Sequence, residues 1–229
     1  MRPGLCIIVP VLDEAATLAA RLQALQTLRR RGTQLVVVDG GSRDDTLEIA
    51  RAHADLAFVA PRGRASQMNA GAAACAADVL LFLHADTVLP DAADALVRQA
   101  VAGPFAWGRF DLRFDSDRPL LRLVAAMMNR RSRWTGIATG DQAMFVQHEL
   151  FRRVGGFPDL PLMEDIAISG RLKQHGPPAC LSERVTTSAR RWERDGVWRT
   201  ILLMWRLRAA YFLGADPHRL AIRYGYRPR

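Results

Sequence analysis

The sequence predicts an α/β fold built on a mainly parallel sheet, and three observations carry that prediction. Short apolar runs alternate with segments of helical spacing from Leu5 to Val101, the rhythm of strand–helix–strand units. Those runs are continuously apolar, as strands covered on both faces are. The chain has 229 residues, of which 49% are hydrophobic and 24% charged. That suffices for one large core or two small ones.

Taken in order, Leu5–Val9 reads as a buried strand. Glu14–Arg31 follows, with Leu18, Leu22, Leu25 and Leu28 on one helical face. Leu35–Val38 is a second strand, and Ser42 is placed to cap a helix running through Thr46 and Ile49. Asp55–Ala60 is a weaker third strand, and alanine-rich Ala65–Ala77 reads as a helix. Val79–Leu83 is the fourth strand and Asp91–Val101 another helix. After Gly103-Pro104 the rhythm changes. Trp107–Phe114 (WGRFDLRF) alternates apolar and polar residues, the mark of a half-buried or edge strand. Leu120–Met128 reads as a helix, Ala143–Val146 as a short strand and Asp165–Gln174 as a helix. No repeat, low-complexity tract or linker interrupts the chain. The economical division is a single domain, 1–229, with a first half (1–103), a second half (104–193) and a C-terminal helical segment (194–229).

Ligands of parallel α/β sheets bind beyond the carboxyl ends of the strands, so the residues after each strand matter most. The first strand runs into Pro10-Val11-Leu12-Asp13-Glu14, the second into Asp39-Gly40-Gly41-Ser42 and the fourth into His84-Ala85-Asp86. One Asp after a strand serves equally well as a helix cap. Three such ends on one sheet edge would crowd carboxylates, which is costly unless a cation or a hydrogen-bonding ligand offsets the repulsion.

The formal net charge is +9, and Lys173 is the only lysine, so nearly all the positive charge is arginine. Arginine forms planar, bidentate contacts with phosphate and carboxylate. Nucleoside diphosphates, phospholipid headgroups and nucleic acid are therefore the partner classes in view, although a GC-rich genome that replaces surface lysine would account for most of the bias. Cys6, Cys75 and Cys180 form no C-x-x-C. Neither a disulfide framework nor a zinc knuckle is expected, and a reducing cytoplasm fits. The apolar run Cys6–Val9 is shorter than a signal-peptide core, and no stretch reaches the length of a bilayer-spanning helix. Neither secretion nor membrane spanning is expected.

Six blocks then fall in order: IIVPVLDE, VVVDGGSRDDT, GRASQMNAG, LLFLHADT, TGDQAMF and GGFPDLPLMED. Together they resemble a family 2 glycosyltransferase of the GT-A fold, a nucleotide-diphospho-sugar transferase with a Rossmann-like half, over roughly Cys6–Gly176. The HADT version in place of D-x-D resembles a compact bacterial subgroup. The resemblance implies a nucleotide-binding half at 1–103 and an acceptor and catalytic half at 104–193. It implies that Asp39 meets the N3–H of a uracil, with Pro10, Val11 and Gly40 beside the base. Glu14 would touch the ribose or serve only as a first-turn acid, where the helix dipole favours it. Arg64 would reach base or phosphates. Asn69-Ala70-Gly71 would pack its helix closely on the sheet.

At His84-Ala85-Asp86 the resemblance places a Mg²⁺ or Mn²⁺ ligand on Asp86, with His84 in place of the usual aspartate that contacts the ribose. Imidazole can exchange one hydrogen bond, removes one negative charge and suits Mn²⁺ better than Mg²⁺. Inverting transfer needs a base for the acceptor hydroxyl. The resemblance assigns it to Asp165, with Glu164 as support or alternative. Gly140, Asp141 and Gln142 are expected near donor sugar and acceptor, and Met144 and Phe145 in the core. Arg191 and Trp192 resemble the R-W motif of processive synthases, or an arginine stacked on an indole. Trp198–Leu213 is apolar and aromatic but broken by Arg199, Arg206 and Arg208. It would pack on its own domain or lie on an anionic membrane surface, which would suit a lipid-linked acceptor and the inner face of the membrane. The role of the basic tail carrying Tyr224 and Tyr226 is open.

The expectation is a metal-dependent, inverting transferase that takes a nucleotide-diphospho-sugar, a UDP-sugar by the uracil contact, and no nucleic acid. Two rivals stay open. A sugar nucleotidyltransferase would show a glycine-rich phosphate loop after the first strand and a lysine for phosphate; here that turn is PVLDE and the lysine sits late. An inactive arginine-rich binding protein would tolerate loss of Asp86.

Overall fold

The computed structural model describes residues 4–226. Strands β1 (Leu5–Val11), β2 (Thr33–Asp39), β3 (Leu56–Val59) and β4 (Val79–Phe82) alternate with helices α1 (Ala15–Ala24), α2 (Gln26–Arg30), α3 (Thr46–His53) and α4 (Arg64–Ala74). A short strand β5 (Thr87–Val88) and helix α5 (Ala93–Ala102) complete the first half. The second half holds β6 (Trp107–Phe114), α6 (Pro119–Thr135), a 3-10 turn at Gly140–Gln142, β7 (Phe145–Gln147), α7 (His148–Arg153), α8 (Glu164–Leu172) and β8 (Ala179–Thr187). Helices α9 (Arg190–Asp195), α10 (Val197–Phe212) and α11 (Pro217–Tyr224) follow.

All eight strands join one mixed sheet in the order β3-β2-β1-β4-β7-β6-β8-β5. The first four pair in parallel, as expected of continuously apolar strands, and β6 pairs in parallel with β8. Strand β7 runs antiparallel to both β4 and β6, so the turn before it opens on the same edge as the carboxyl ends of β4 and β6. Strand β5 pairs with Thr186 and Thr187 at the end of β8. The His84–Asp86 turn therefore runs along that rim from the centre of the sheet to its far side.

Side chains alternate across the sheet with the strand period of two. Ile7, Val9 and Val11 meet Leu18 and Leu22 of α1 and Leu121 and Val124 of α6. Cys6, Ile8, Val36 and Val38 meet Ala65, Met68 and Ala72 of α4 on the other face. Gly71 is required there: a Cβ would overlap Ile8 and crowd Val38. The close helix–sheet packing expected of Asn69-Ala70-Gly71 is what the chain adopts. A third cluster seats Leu207 of α10 and Leu220 of α11 on Ile137, Leu162, Met163 and Ile166.

Several expectations are corrected. The helix read at Glu14–Arg31 is two helices, α1 and α2, meeting at Leu25. Ser42 caps no helix: α3 begins at Thr46, and the Ser42 hydroxyl donates to Asp39. Strand β6 is neither half-buried nor an edge, because it lies between β7 and β8 and is nearly all buried. Arg109 and Asp111 are buried and paired, while Arg113 is exposed: Arg109 meets Asp111, the Ser132 hydroxyl at 3.0 Å and the Asn129 carbonyl at 3.1 Å. Arg133 also holds Asp111, at 2.7 Å. Strands β5 and β8 and helices α7 and α9 were not expected from the sequence. Finally, Cys6 and Cys75 form a disulfide, with Cα atoms 6.3 Å apart across a separation of 69 residues. Spacing alone could not reveal it, since β1 and the end of α4 meet only in the folded sheet.

Candidate active site

The first two strand ends form the floor of the site. Val11 is level with Asp39 across the sheet. Gln67 of α4 donates from Nε2 to the carbonyls of Val11 and Val38, at 2.8 Å each. The Gly40 N–H donates to the Val11 carbonyl at 2.9 Å, and a Cβ at Gly40 would crowd the Gln67 amide at 3.0 Å. Asp39 is 1% exposed. Its carboxylate accepts from the N–H groups of Gly41 (3.0 Å) and Ser42 (2.9 Å) and from the Ser42 hydroxyl. The turn thus closes over Asp39. Val11 is buried and Pro10 half-buried beside it.

Glu14 and Asp86 come together at the rim. Burial lifts the Glu14 carboxyl above its ordinary value and the charge of Asp86 adds to the lift, while the Thr17 hydroxyl and Arg190 oppose it. Ala85 packs on the core between His84 and Asp86. Among the described residues, no three His, Cys, Asp or Glu side chains form a metal cage. A Mg²⁺-type cation needs none, since one or two carboxylates and substrate phosphates commonly hold it. The repelling pair Glu14 and Asp86 fits such an ion arriving with a diphosphate.

His84 turns toward the second half. Its Nδ1 is 3.3 Å from Oδ1 of Asp141. Its Nε2 is buried without a hydrogen-bond partner and rests on Gly140, where a Cβ would overlap the ring. In this arrangement His84 links β4 to the 3-10 turn. Burial alone would raise the Asp141 carboxyl; the hydrogen bond and charge of His84, with Arg64 and Arg131, bring it below its ordinary value.

Asp165 meets the same turn. Its Oδ2 accepts from the Gly140 N–H at 3.0 Å, and its Oδ1 from the Ile166 N–H at 2.7 Å. Glu164 beside it is buried, with Arg64 Nη1 at 3.5 Å. Burial raises the Glu164 carboxyl, Arg64 opposes and Asp165 adds repulsion. Met163 enters this helix at φ 71°, a left-handed conformation that costs a non-glycine residue about 1–3 kcal/mol and is common at functional sites. Asn69 grips the turn before it, exchanging hydrogen bonds with the Phe157 backbone at 2.8 and 2.9 Å. Arg64, His84, Gly140, Glu164 and Asp165 line one pocket, with Met68, Phe82, Met144 and Phe157 as its apolar wall.

Three further expected site residues are held by contacts within the protein. Gln142 is fully buried; its Oε1 accepts from the Thr139 N–H at 3.1 Å and holds the turn from behind. Trp192 packs on Phe114 at 5.4 Å between ring centres, against the main core. Arg191 stacks on Tyr224, 3.6 Å from the ring centre, and donates to its carbonyl at 2.9 Å. That contact brings the C-terminal α11 to the site: Asp141, Arg64 and Asp165 all act electrostatically on the Tyr224 hydroxyl. Tyr224, Gln67, Arg131 and Arg208 are the neighbours of the site that sequence reading passed over. Only Gln67 carried a signal, its place in the GRASQMNAG block.

Residues 6–155 match the model of the family described as glycosyl transferase family 2. A PGL/p-HBAD biosynthesis glycosyltransferase of Mycobacterium tuberculosis is 37% identical over 105 residues, covering 43% of this chain and 41% of that protein. A Mycobacterium bovis counterpart matches equally. The chain thus spans about two fifths of the length of these relatives. Among solved structures, the mannosyltransferase PcManGT from Pyrobaculum calidifontis, in complex with GDP-Man and Mn²⁺, has a TM-score of 0.65 at 21% identity, covering 99% of this chain and 70% of that one. TarS 1–349 of S. aureus, in complex with UDP-GlcNAc, has a TM-score of 0.66 at 16% identity, covering 82% and 58%. These likenesses establish the GT-A fold. The family match runs through the strand ends that carry Asp39, His84 and Asp86 and through the turn that carries Asp141, and on that ground the chain belongs to glycosyl transferase family 2.

Proposed function

We propose that this chain is a glycosyltransferase that moves a sugar from a nucleotide-diphospho-sugar, taken to be a UDP-sugar, to an acceptor hydroxyl with inversion at the anomeric carbon. The observation that supports the reading is the convergence of Arg64, His84, Gly140, Glu164 and Asp165 on one pocket at the carboxyl rim of the sheet. Asp165 is the base: its carboxylate is fixed by the Gly140 N–H at 3.0 Å and takes the proton of the attacking hydroxyl. Glu164 balances Arg64, whose free edge faces the leaving diphosphate. His84 and Asp141 hold the turn that carries Gly140. Pro10, Val11, Gly40 and Asp39 receive the base, with the Ser42 turn opening for it. Asp86, with Glu14 beside it, would hold a Mn²⁺ or Mg²⁺ ion; such an ion, when bound, neutralises charge developing on the departing diphosphate.

The outer face of α10 supports peripheral contact with an anionic membrane. Trp198, Leu202, Trp205, Phe212 and Leu213 are all at least half exposed, and exposed Arg199 and Arg206 flank them. Among the described residues, no helix is long and apolar enough to cross a membrane, so the contact would be at the surface.

The deciding experiment is thermal unfolding with UDP, GDP, CDP and dTDP, each with and without Mn²⁺. A ligand at about a hundred times its Kd stabilises by roughly 2.7 kcal/mol. The expected result is a rise with UDP that Mn²⁺ enlarges and Asp86→Ala removes, together with loss of sugar transfer in Asp165→Asn. No response to any diphosphate would overturn the donor site.

A further inference from the structure

A buried guanidinium is costly unless it is paired, and most half-buried or buried arginines here are. Arg109 has Asp111, Arg64 has Glu164, and Arg191 has Asp195 together with the face of Tyr224. Arg131, in the last turns of α6, differs. Its Nε and Nη2 are buried with no hydrogen-bond partner, and it makes no ion pair among the described residues.

Its charged neighbour is another arginine. Burial and the charge of Arg208, from the half-buried inner side of α10, push the Arg131 guanidinium down to about 10, against the pull of Asp165 and Asp141. Burial likewise lowers Arg208, and Asp165 opposes it. Arg208 also lacks an ion-pair partner among the described residues. It follows Leu207, which packs with Ile166 and Ile137, residues one step from Asp165 and a few steps past Arg131. Two unpaired arginines from different elements therefore converge beside Asp165. The charges acting on Arg131 are Arg208, Asp165 and Asp141; Asp141 and Asp165 also act on Arg64, so the arginine pair borders the pocket, and the UDP arm of the test below separates it from the donor diphosphate.

We propose that Arg131 and Arg208 form an acceptor subsite for a phosphate group, borne by the acceptor close to the hydroxyl that Asp165 deprotonates. The proposal rests on Asp165 being the base and adds the chemical class of the acceptor. A phosphate is matched to two neighbouring guanidinium groups, which bind it through charge-assisted hydrogen bonds. It would supply the partner that Arg131 lacks and offset the repulsion between the arginines. The phosphate can belong to a soluble ester or to a lipid headgroup.

The test uses the full chain and inorganic phosphate as probe, against sodium chloride at matched ionic strength. The melting temperature should rise saturably with phosphate, and the rise should persist with UDP and Mn²⁺ at saturation. Arg131→Gln and Arg208→Gln should each lose the phosphate response and keep the UDP response. Arg131→Gln should melt no lower than the parent without ligand, since it removes an unpaired buried charge. No saturable phosphate response, or one retained in both variants, would overturn the proposal. So would a response abolished by UDP, which would put the arginines on the donor diphosphate. A phosphate response without any nucleotide response would sink the donor reading and leave the anion subsite standing, so the two fail separately. Displacement of phosphate by glycerol 3-phosphate would indicate a soluble ester; Arg131-dependent binding to phosphatidic acid vesicles alone would indicate a lipid headgroup.

Discussion

Nδ1 of His84 lies 3.3 Å from Oδ1 of Asp141, and the far side of the same ring rests on the Cα of Gly140. The imidazole thereby couples the end of β4 to the turn whose Gly140 N–H fixes Asp165. A methyl group at Gly140 cannot be added without moving the ring. Gly140→Ala should lower kcat by roughly a hundredfold, the order expected when reacting groups shift by about an ångström. Overpacking should cost about 1–3 kcal/mol in stability. Initial rates of nucleotide release and denaturant midpoints check both, and a variant with parental turnover would remove His84 from any positioning role.

Glu164 gives a pH signature. Burial raises its carboxyl above 4.5 despite Arg64. An acid raised in the fold favours the native state below its unfolded value, and the contribution is lost as pH rises through the folded value. The parent should therefore lose stability relative to Glu164→Gln as pH climbs from 4.5. Asp141 has the opposite sign: lowered from 3.8, it contributes above that value and the contribution is lost as pH falls through its folded value. Denaturant midpoints for both proteins across this range decide the matter, and a constant difference would contradict the burial of an ionisable Glu164.

The residues legible in the sequence were those that end a strand or open a helix. Asp39, Asp86 and the Glu164-Asp165 pair follow apolar runs or turns, so a parallel sheet must gather the first two on one edge, and the six ordered blocks carried the rest. Arg131, Arg208 and Tyr224 were not legible. Arg208 and Tyr224 come from helices whose docking depends on apolar contacts such as Leu207 and Leu220 with Ile166, Arg131 comes from the end of α6, and the chain has 32 Lys and Arg residues among which two arginines carry no mark. Strand β6 shows a second limit. Its alternation of Arg109, Asp111 and Arg113 with apolar residues implied a wet face, yet Arg109 is fully buried. The reason is a set of polar partners on α6, Ser132, Asn129 and Arg133, which lie too far along the chain for a periodicity to register.

The Cys6–Cys75 bridge leads to a direct count. Cys180 is the free cysteine, so the unreduced, denatured chain should titrate with one thiol. Closing a loop of 69 residues removes unfolded-state entropy worth about 4 kcal/mol on the chain-entropy account. Cys6→Ala with Cys75→Ala, or reduction of the parent, should lower stability by up to that amount. Three titratable thiols and no response to reductant would show that the two sulfurs are simply neighbours in the core.

The stripe on α10 gives the last prediction. Trp198 and Trp205 are 67% and 60% exposed, an unusual position for indoles on a helix whose other side packs through Leu207. On an anionic bilayer they would enter the headgroup region while Arg199 and Arg206 meet lipid phosphates. Trp198→Ser and Trp205→Ser should each weaken binding to vesicles containing phosphatidylserine by roughly tenfold, about 1.4 kcal/mol. Neither residue touches the pocket, so sugar transfer to a soluble acceptor should be unchanged. Raising ionic strength should weaken the parent's binding as well, because exposed charges are screened within about 10 Å at 0.1 M salt. Co-sedimentation measures all three effects. Binding that ignored both tryptophans and salt would mean that α10 is not the surface that meets lipid.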